Sequence, residues 1–383
     1  MKKSPVPDCR AALDVMVLGG GPAGSVTAGL LARRGCSVVL LDRGAPPDRS
    51  GGAPMCIGET LPPQALGVLH RAGLREAFLA QSHHPAPGIV SIWGGDEPIA
   101  QDFLFSPQGS GWHLNRARFD GMLRDSAERD GAIAMERAIV RACSSHGAGW
   151  TVTAEVDGEA KTFRCRAIVD AMGRSASARL GFAGRCAADS LIALACLMPA
   201  TKGRPASSYT LIEAVEEGWF YSALLPEGCY LVAFMTDADL YATGRERSPR
   251  HYAEQLAGAP YTRERIGDAL PTLTAFSAVS SVRRRAATTG WLAVGDAARS
   301  YDPLSGLGIM TAIQMATQAS ATVAGMLDGD TEAAREYDEA NGREYQRYME
   351  TRALYYAGEK RWRDSKFWFR RRPLIREHSG EYR

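Results

Sequence analysis

The chain has 383 residues, a formal net charge of +2, 45% hydrophobic residues and 23% charged residues. This is globular composition with room for two domains around a large core. The near-neutral charge excludes a polyanion-binding surface spread over the molecule, so no nucleic-acid partner is expected, and no apolar run reaches the length of a membrane span. The eight cysteines are scattered without a C-x-x-C pair and read as free thiols rather than disulfides or zinc ligands; no metal site is expected. The N-terminal Met1-Lys-Lys-Ser-Pro-Val-Pro-Asp8 lacks the shape of a signal peptide, and the expectation is a cytoplasmic protein.

The first informative stretch is Val15-Met-Val-Leu-Gly-Gly-Gly-Pro-Ala-Gly24, an apolar strand running into glycines and then into a helix to Arg34. The spacing Gly19-x-Gly21-x-x-Gly24 between strand and helix suits a dinucleotide pyrophosphate. Gly19 permits the tight turn, Gly21 lets backbone approach the phosphates, and Gly24 lets helix and strand pack closely. Pro22 and Ala23 complete the turn, and the helix start offers N–H groups to an anion. A second strand, Ser37–Leu41, ends in Asp42-Arg43, which places a carboxylate where a ribose-binding acid belongs. After a Gly/Pro-rich loop, residues 44–56, comes Ile57-Gly-Glu-Thr-Leu-Pro-Pro63 and a helix from Gln64 to Ala72. Such a loop approaches a flat ring closely; Thr60 reads both as a contact to that ring and as the helix cap. Residues 89–106 read as two short strands broken by Gly94-Gly95. A helix then opens at Leu114-Asn-Arg-Ala-Arg-Phe-Asp120 and runs to Asp130. Arg116 at its start meets like dipole charge, which makes it a candidate partner for a ligand phosphate; a solvated surface arginine is the plain alternative.

Residues 132–170 read as a β-meander with strands near 133–143, 149–156 and 161–164, followed by Ala167-Ile-Val-Asp170 feeding a glycine turn, Ala-Met-Gly173-Arg-Ser175. Residues 187–236 read as successive strands of an antiparallel sheet, with Pro226-Glu-Gly228 as a hairpin turn. Trp219, Phe220 and Tyr221 belong either to its core or to a substrate cavity. Residues 248–270 read as helix, 272–282 as a returning strand, and Arg283-Arg-Arg285 as a solvated charge run. In Trp291–Ala298 a buried strand ends at Gly295-Asp296. Asp302-Pro303-Leu-Ser-Gly-Leu-Gly-Ile309 then opens a helix from about Gly306 to Leu327. Asp296 is placed to accept a ribitol hydroxyl. The backbone N–H groups of Gly306, Leu307 and Gly308 suit the anion that develops on a reduced isoalloxazine ring. A last helix, Thr331 to about Lys360, carries the stripe Tyr337, Tyr345, Tyr348, Tyr355, Tyr356. The basic tail beyond it contains Trp362, Phe367, Trp368 and Phe369. It reads as packed on the body or, functionally, as a contact for a partner protein.

Four motifs stand in order: Gly19–Gly24, Arg116-x-x-Phe119-Asp120, Asp170–Ser175, and Gly295-Asp-Ala-Ala298 with Asp302–Gly308. Together they resemble the FAD-dependent monooxygenases of the p-hydroxybenzoate hydroxylase-like superfamily, over about residues 12–330. Ile57–Pro63 looks like the branch that holds flavin-dependent halogenases, geranylgeranyl reductase-like proteins and the flavoproteins that hydroxylate tryptophan in maturing tryptophylquinone enzymes. The resemblance implies an α/β fold: a Rossmann-like (GR2-type) FAD-binding domain, 12–80, 113–186 and 283–330, with an inserted antiparallel substrate domain, 81–112 and 187–282, and a C-terminal helical segment, 331–383. It implies FAD held by Gly19, Gly21, Pro22, Ala23, Gly24, Asp42, Arg43, Thr60, Arg116, Gly173, Gly295, Asp296, Pro303, Gly306, Leu307, Gly308 and Ile309. NADH, NADPH or a separate reductase would supply electrons, and O2 would react through a C4a-hydroperoxyflavin. Halogenases of this branch carry a W-x-W-x-I-P motif and a relay lysine after the G-E-x-x-x-P loop. The matching place here reads Trp219-Phe-Tyr-Ser-Ala-Leu224, and no lysine stands between Lys3 and Lys161. The tryptophylquinone-forming flavoproteins fit better, with a tryptophan of a partner or carrier protein as acceptor; a halogenase and a prenyl-chain reductase are the alternatives. Glu59, His83, His84, His113 and Tyr221 are candidates for proton transfer by location.

Overall fold

The computed structural model describes residues 12–44, 57–147, 149–174, 180–182, 184–200, 205–241, 247–267 and 271–372. Nearly all of the Gly/Pro-rich loop, Ser175 of the glycine turn and residues 373–383 of the tail lie outside the described residues.

Two sheets organise the chain. The first is parallel at its centre, in the order Ile133–Met135, Val38–Leu41, Leu13–Leu18, Glu159–Asp170, Trp291–Ala293, with Ala287–Thr288 antiparallel at one edge. Leu13–Leu18 and Val38–Leu41 are almost wholly buried, in a core shared with helix residues such as Leu31 and Met315 and with Val152, Ala154, Val156 and Phe163 of the β-meander. In register, Val17 lies beside Leu40 on one side and Val169 on the other. The helix Pro22–Arg33 leaves the first strand through Gly21, with proline in its first turn, where a missing N–H costs nothing. It packs against Gly308–Leu327 and crosses Arg116–Arg129 so closely that a Cβ on Gly29 would stand 3.2 Å from the Ala127 Cα.

The second sheet runs Thr274–Ser277, Leu191–Pro199, Cys229–Asp237, Gly218–Leu224, Thr210–Val215, Gly88–Ile92, Ile99–Asp102. It is antiparallel except where Thr210–Val215 meets Gly88–Ile92. Trp219 and Phe220 are fully buried in separate core clusters, one on each face, so both belong to packing. A small sheet of Thr60–Leu61, Gly111–His113 and His84–Ala86 sits beside it.

Several local expectations are corrected. The first meander strand is two: Ile133–Met135 joins the parallel centre and Ala138–His146 joins the meander, divided at Arg137, which has φ +51°. Residues 159–170 form one strand that serves meander and parallel sheet in turn. The returning segment is also two strands, Thr274–Ser277 and Ser281–Arg283, in different sheets. Thr60 caps no helix; the helix is Ala65–Arg71 and Thr60 lies in a strand. Arg283 is buried, 3.1 Å from the buried Asp170 carboxylate and over the Trp291 ring, so it is no part of a solvated run.

The long C-terminal helix, Ala333–Gly358, which a short helix Lys366–Phe369 follows, is bound to the rest through Asp302. Arg352 Nε donates to Asp302 Oδ2 at 3.1 Å, and its terminal nitrogen reaches Asp189 at 2.8 Å. The Tyr356 hydroxyl donates to the same Asp302 oxygen at 2.7 Å. The tail then folds back: Phe367 and Trp368 are fully buried, Trp368 Nε1 donates to Val215 O at 3.0 Å, and Arg371 pairs with Asp237 at 2.5 Å. Through Arg372 the aromatic tail is therefore largely packed on its own sheet. Arg352→Met would strip Asp302 and Asp189 of their shared cation, and breaking a buried pair from one side costs about 3–5 kcal/mol. A loss of that size is expected in urea unfolding, against a near-silent Arg347→Ala on the exposed face.

Candidate active site

A cavity of about 270 Å³ opens between the two sheets. Its walls are Gly21–Ala23, Ile57–Thr60, Arg116, Gly173–Arg174, Asp296, Tyr301–Pro303 and Ser305–Ile309 on one side, and Tyr221, Leu231, Ala233 and Met235 of the second sheet on the other.

The glycines divide by what surrounds them. A Cβ on Gly24 would lie 1.9 Å from the Gly19 carbonyl oxygen, and one on Gly19, at φ +107°, would lie 2.4 Å from Ala171 O. Both are fixed by packing. Gly20 is equally crowded, since its Cβ would meet the Asp42 side chain at 2.7 Å. Gly21, Gly173, Gly306 and Gly308 have nothing within 4 Å of that position and border the cavity. Gly295, at φ +61°, is closed off by Ala23 at 2.7 Å. Asp42 follows the second strand and accepts from Arg124 at 3.2 Å; Arg43 is exposed, and neither lines the cavity.

Asp296 Oδ2 accepts from Arg174 Nε at 2.9 Å, and Arg174 also donates to Tyr301 O at 2.9 Å and Ser277 O at 3.2 Å. Arg174 thus fixes the acid and the turn together. It sits one residue past Gly173, a signal the sequence offered and the motif reading passed over. Tyr301 and Asp302 also line the cavity and were missed as site residues. The turn after Asp302 differs from expectation in one respect. The N–H of Gly306 is committed to Pro303 O at 3.0 Å and that of Leu307 to Ser305 Oγ at 3.3 Å. The N–H groups open toward an anion are those of the helix's own first turn, at Gly308 and Ile309.

Arg116 does not stand as a bare cation at its helix start. It pairs with Asp120 at 2.9 Å and donates to Ile57 O at 2.9 Å and Gly58 O at 3.2 Å, so it pins the loop that bounds the cavity. That loop carries Glu59, only 2% exposed, with neither carboxylate oxygen in hydrogen bond to any described residue. Burial pushes its acid up to about 7, against the pull of the nearby Arg116 and, more weakly, of the Glu59 and Gly58 backbone N–H groups, which face the carboxylate without well-formed hydrogen bonds. Thr60 Oγ1 and the Tyr221 hydroxyl share a 2.5 Å hydrogen bond across the cavity wall. Burial, then the neighbouring Glu59, keeps the Tyr221 phenol protonated far above neutral pH.

The three histidines lie elsewhere. His113 is fully buried between Leu224 O and Thr210 Oγ1, both at 2.9 Å. A carbonyl only accepts, so Nδ1 carries the proton and Nε2 takes the threonine's. Burial lowers His113 and His83 to about 4, and His84 bonds Ser208 at 2.8 Å. None lines the cavity; His113 and His84 tie the small sheet to the large sheet and the segment before it, while His83 packs on Phe78 and Phe119 and accepts from Asn115 N–H at 3.3 Å. Of the five proton-transfer candidates, the structure brings Glu59 and Tyr221 to the site.

The residues present fit FAD. The crowded glycines hold the turn, the open ones leave room for phosphate and ring, Asp296 is oriented by an arginine, and a helix start borders the cavity. The chain belongs to the FAD-binding domain family, whose model matches residues 12–347. LodB of Marinomonas mediterranea, named as an FAD-dependent oxidoreductase, is 29% identical over 367 residues, covering 94% of this chain and 96% of LodB. The structure of the myxobacterial chondrochloren halogenase CndH matches with a TM-score of 0.82 and 26% identity, over 96% of this chain and 87% of that one. The peptidyl tryptophan dihydroxylase QhpG, essential for tryptophylquinone cofactor biogenesis, matches with a TM-score of 0.77 and 25% identity, over 94% and 79%. The protein is an FAD-dependent oxidoreductase of the monooxygenase and halogenase group. Among the described residues, no helix is long and apolar enough to cross a membrane.

Gly21→Ala is expected to fold with stability changed by less than about 1 kcal/mol, yet to weaken FAD binding at least about tenfold, which is about 1.4 kcal/mol. Gly24→Ala is expected to cost about 1–3 kcal/mol of stability through overpacking. Urea melts and flavin titration separate the two. The raised acid of Glu59 binds its proton more tightly folded than unfolded. It should therefore lower the stability of the flavin-free protein as pH rises from about 4.5 to about 7, by about 3 kcal/mol in all. Unfolding of Glu59→Gln across that range should lack this fall.

Proposed function

We propose that the protein is an FAD-dependent monooxygenase that hydroxylates an electron-rich aromatic ring, the side chain of a tryptophan in a partner protein, toward a tryptophylquinone cofactor. The observation that carries this reading is the make-up of the cavity wall. Among the described residues lining it there is no lysine, and its two arginines are each ion-paired, Arg116 with Asp120 and Arg174 with Asp296. A relay of hypohalous acid through a lysine amine has no donor there. Oxygen transfer to an indole needs none, since the ring is itself the nucleophile.

Bound FAD, reduced by NADH, NADPH or a separate reductase, supplies the activation of O2. The chain's own part is positioning and exclusion of water. Leu231, Ala233 and Met235 give an apolar face against which a ring can lie, with small Ala233 leaving depth. Tyr221, held by Thr60, stands at the edge of that face. Arg116 holds the Ile57–Gly58 backbone against the cavity, and Glu59 keeps a proton within the wall. A partner protein brings the ring. The C-terminal segment contributes Phe369 to that contact, since its ring is 68% exposed while Phe367 and Trp368 are buried. The match to QhpG supports a peptide-borne tryptophan; the match to CndH supports halogenation of another acceptor, and the missing lysine weighs against it.

The test is single turnover. Reduced, FAD-loaded protein is mixed with O2 and with tryptophan-bearing candidate proteins, with and without bromide, and the products are weighed by mass spectrometry. Addition of oxygen to a tryptophan, unchanged by bromide, is the expected result. Bromination would establish the halogenase, and oxygen-independent turnover on an unsaturated lipid would establish a reductase.

A further inference from the structure

Glu59 is the group that the positioning role leaves unexplained. A carboxyl sealed from solvent with no side-chain hydrogen-bond donor among the described residues, and only the Gly58 and Glu59 backbone N–H groups to favour its charge, is costly to ionise, and a site retains such a group at a price in stability. Its surroundings leave it no easy partner. Arg116, the nearest cation, comes from the helix Arg116–Arg129 and is committed to Asp120 and to the carbonyls of Ile57 and Gly58. Tyr221, from the second sheet, is occupied with Thr60. Arg174, Asp296, Tyr301 and Asp302 border the same cavity, and Arg174 is bound to Asp296 while Asp302 is bound to Arg352. The loop cannot simply turn the carboxyl outward: Leu114 N–H donates to Glu59 O at 2.7 Å, and Arg116 pins the residues before it.

We infer that Glu59 is a proton-holding residue coupled to the redox state of the bound flavin, taking up one proton when the flavin is reduced and giving it up when the flavin is reoxidised. The coupling is electrostatic. Two electrons and one proton from the donor side leave the flavin with one more negative charge than before. A carboxylate sealed in the wall of the same cavity is repelled by that charge in a medium of low effective dielectric. It therefore takes a proton from water and becomes neutral. The nicotinamide or other two-electron donor is oxidised, the flavin gains two electrons and one proton, and Glu59 gains the second proton. On reoxidation O2 would take up the two electrons, and the flavin's proton and the proton of Glu59 would pass to the reduced oxygen, giving hydrogen peroxide when no substrate is present. In the flavin-free protein burial raises the acid of Glu59 to about 7, so a change of charge nearby can shift it between its two forms near neutral pH. This inference rests on flavin binding and not on which substrate is oxidised, so it stands or falls separately from the tryptophan reading.

The experiment is the midpoint potential of the bound flavin as a function of pH, by spectroelectrochemistry on the FAD-loaded protein without substrate. For a two-electron couple each proton taken up contributes about 30 mV per tenfold change in proton activity. The expected result is a pH window in which the slope is steeper by one proton in the unaltered protein than in Glu59→Gln, the two slopes being equal outside it. The flavin's own protonation appears equally in both proteins and cancels in the comparison. Identical slopes in the two proteins would overturn the inference. Should Glu59→Gln fail to retain FAD, the reduced-minus-oxidised infrared spectrum of the unaltered protein and of Glu59→Asp replaces it. A protonated-carboxyl band that appears on reduction and shifts in the aspartate variant supports the assignment. A spectrum without such a band, or with one that the substitution leaves in place, overturns it.

Discussion

The buried carboxylate of Asp302 is the joint on which the site depends. It begins the turn that leads into the helix at Gly308, and it is held from the far end of the chain by Arg352 and Tyr356. Its own N–H donates to the Tyr348 hydroxyl at 2.7 Å. Three side chains of one C-terminal helix therefore set the height of a turn that borders the cavity. A buried ion pair adds little net stability, but it tolerates few alternative geometries, because displacing either partner strands a charge. The same helix carries the packed tail, whose Trp368 and Phe367 seal against the second sheet. A segment that looks like an appendage in the sequence is thus part of the clamp between flavin domain and substrate sheet.

Much of the flavin half was legible because its constraints are local. The turn Gly19–Gly24 shows its logic within six residues, and the contacts explain each glycine differently: Gly24 is excluded by Gly19 O, while Gly21 has open space. Period and burial agree in Leu13–Leu18 and Val38–Leu41, so their strands could be read directly. Hidden features depend on partners distant in sequence. Arg283 reads as one of three solvated arginines until Asp170, 113 residues away, is seen to pair with it. Thr60 reads as a helix cap because Pro62 and Pro63 follow; its pairing with His113 in a strand outweighs that local pattern. The histidines were plausible acids and bases by composition; His113, buried between a carbonyl and a hydroxyl, is a fastener, and His83 and His84 likewise face protein partners rather than the cavity.

Glu59 shows both limits at once. Its motif was visible, and its nomination as a proton-transfer group needed nothing beyond position. What the sequence could not show is the asymmetry of the wall around it. The two arginines bordering the cavity have carboxylate partners, and the carboxyl of Glu59 has no side-chain hydrogen-bond donor among the described residues. That imbalance has a chemical meaning. A site that must relay a positively charged or electrophilic halogen species benefits from an amine facing the cavity. A site that alternates between neutral and anionic flavin benefits from a buried acid whose charge changes in step.

The same asymmetry links fold to reaction class without appeal to any single catalytic group. Paired arginines lock geometry: Arg116 fixes the loop, Arg174 fixes Asp296 and the Tyr301 backbone. The second sheet contributes apolar side chains and one phenol that stays neutral. Within that wall burial raises the acid of Glu59 to about 7. Oxygen transfer to an indole places its demands in just that pattern, since the ring brings its own nucleophilicity and the protein must supply dryness, alignment and a proton held close by.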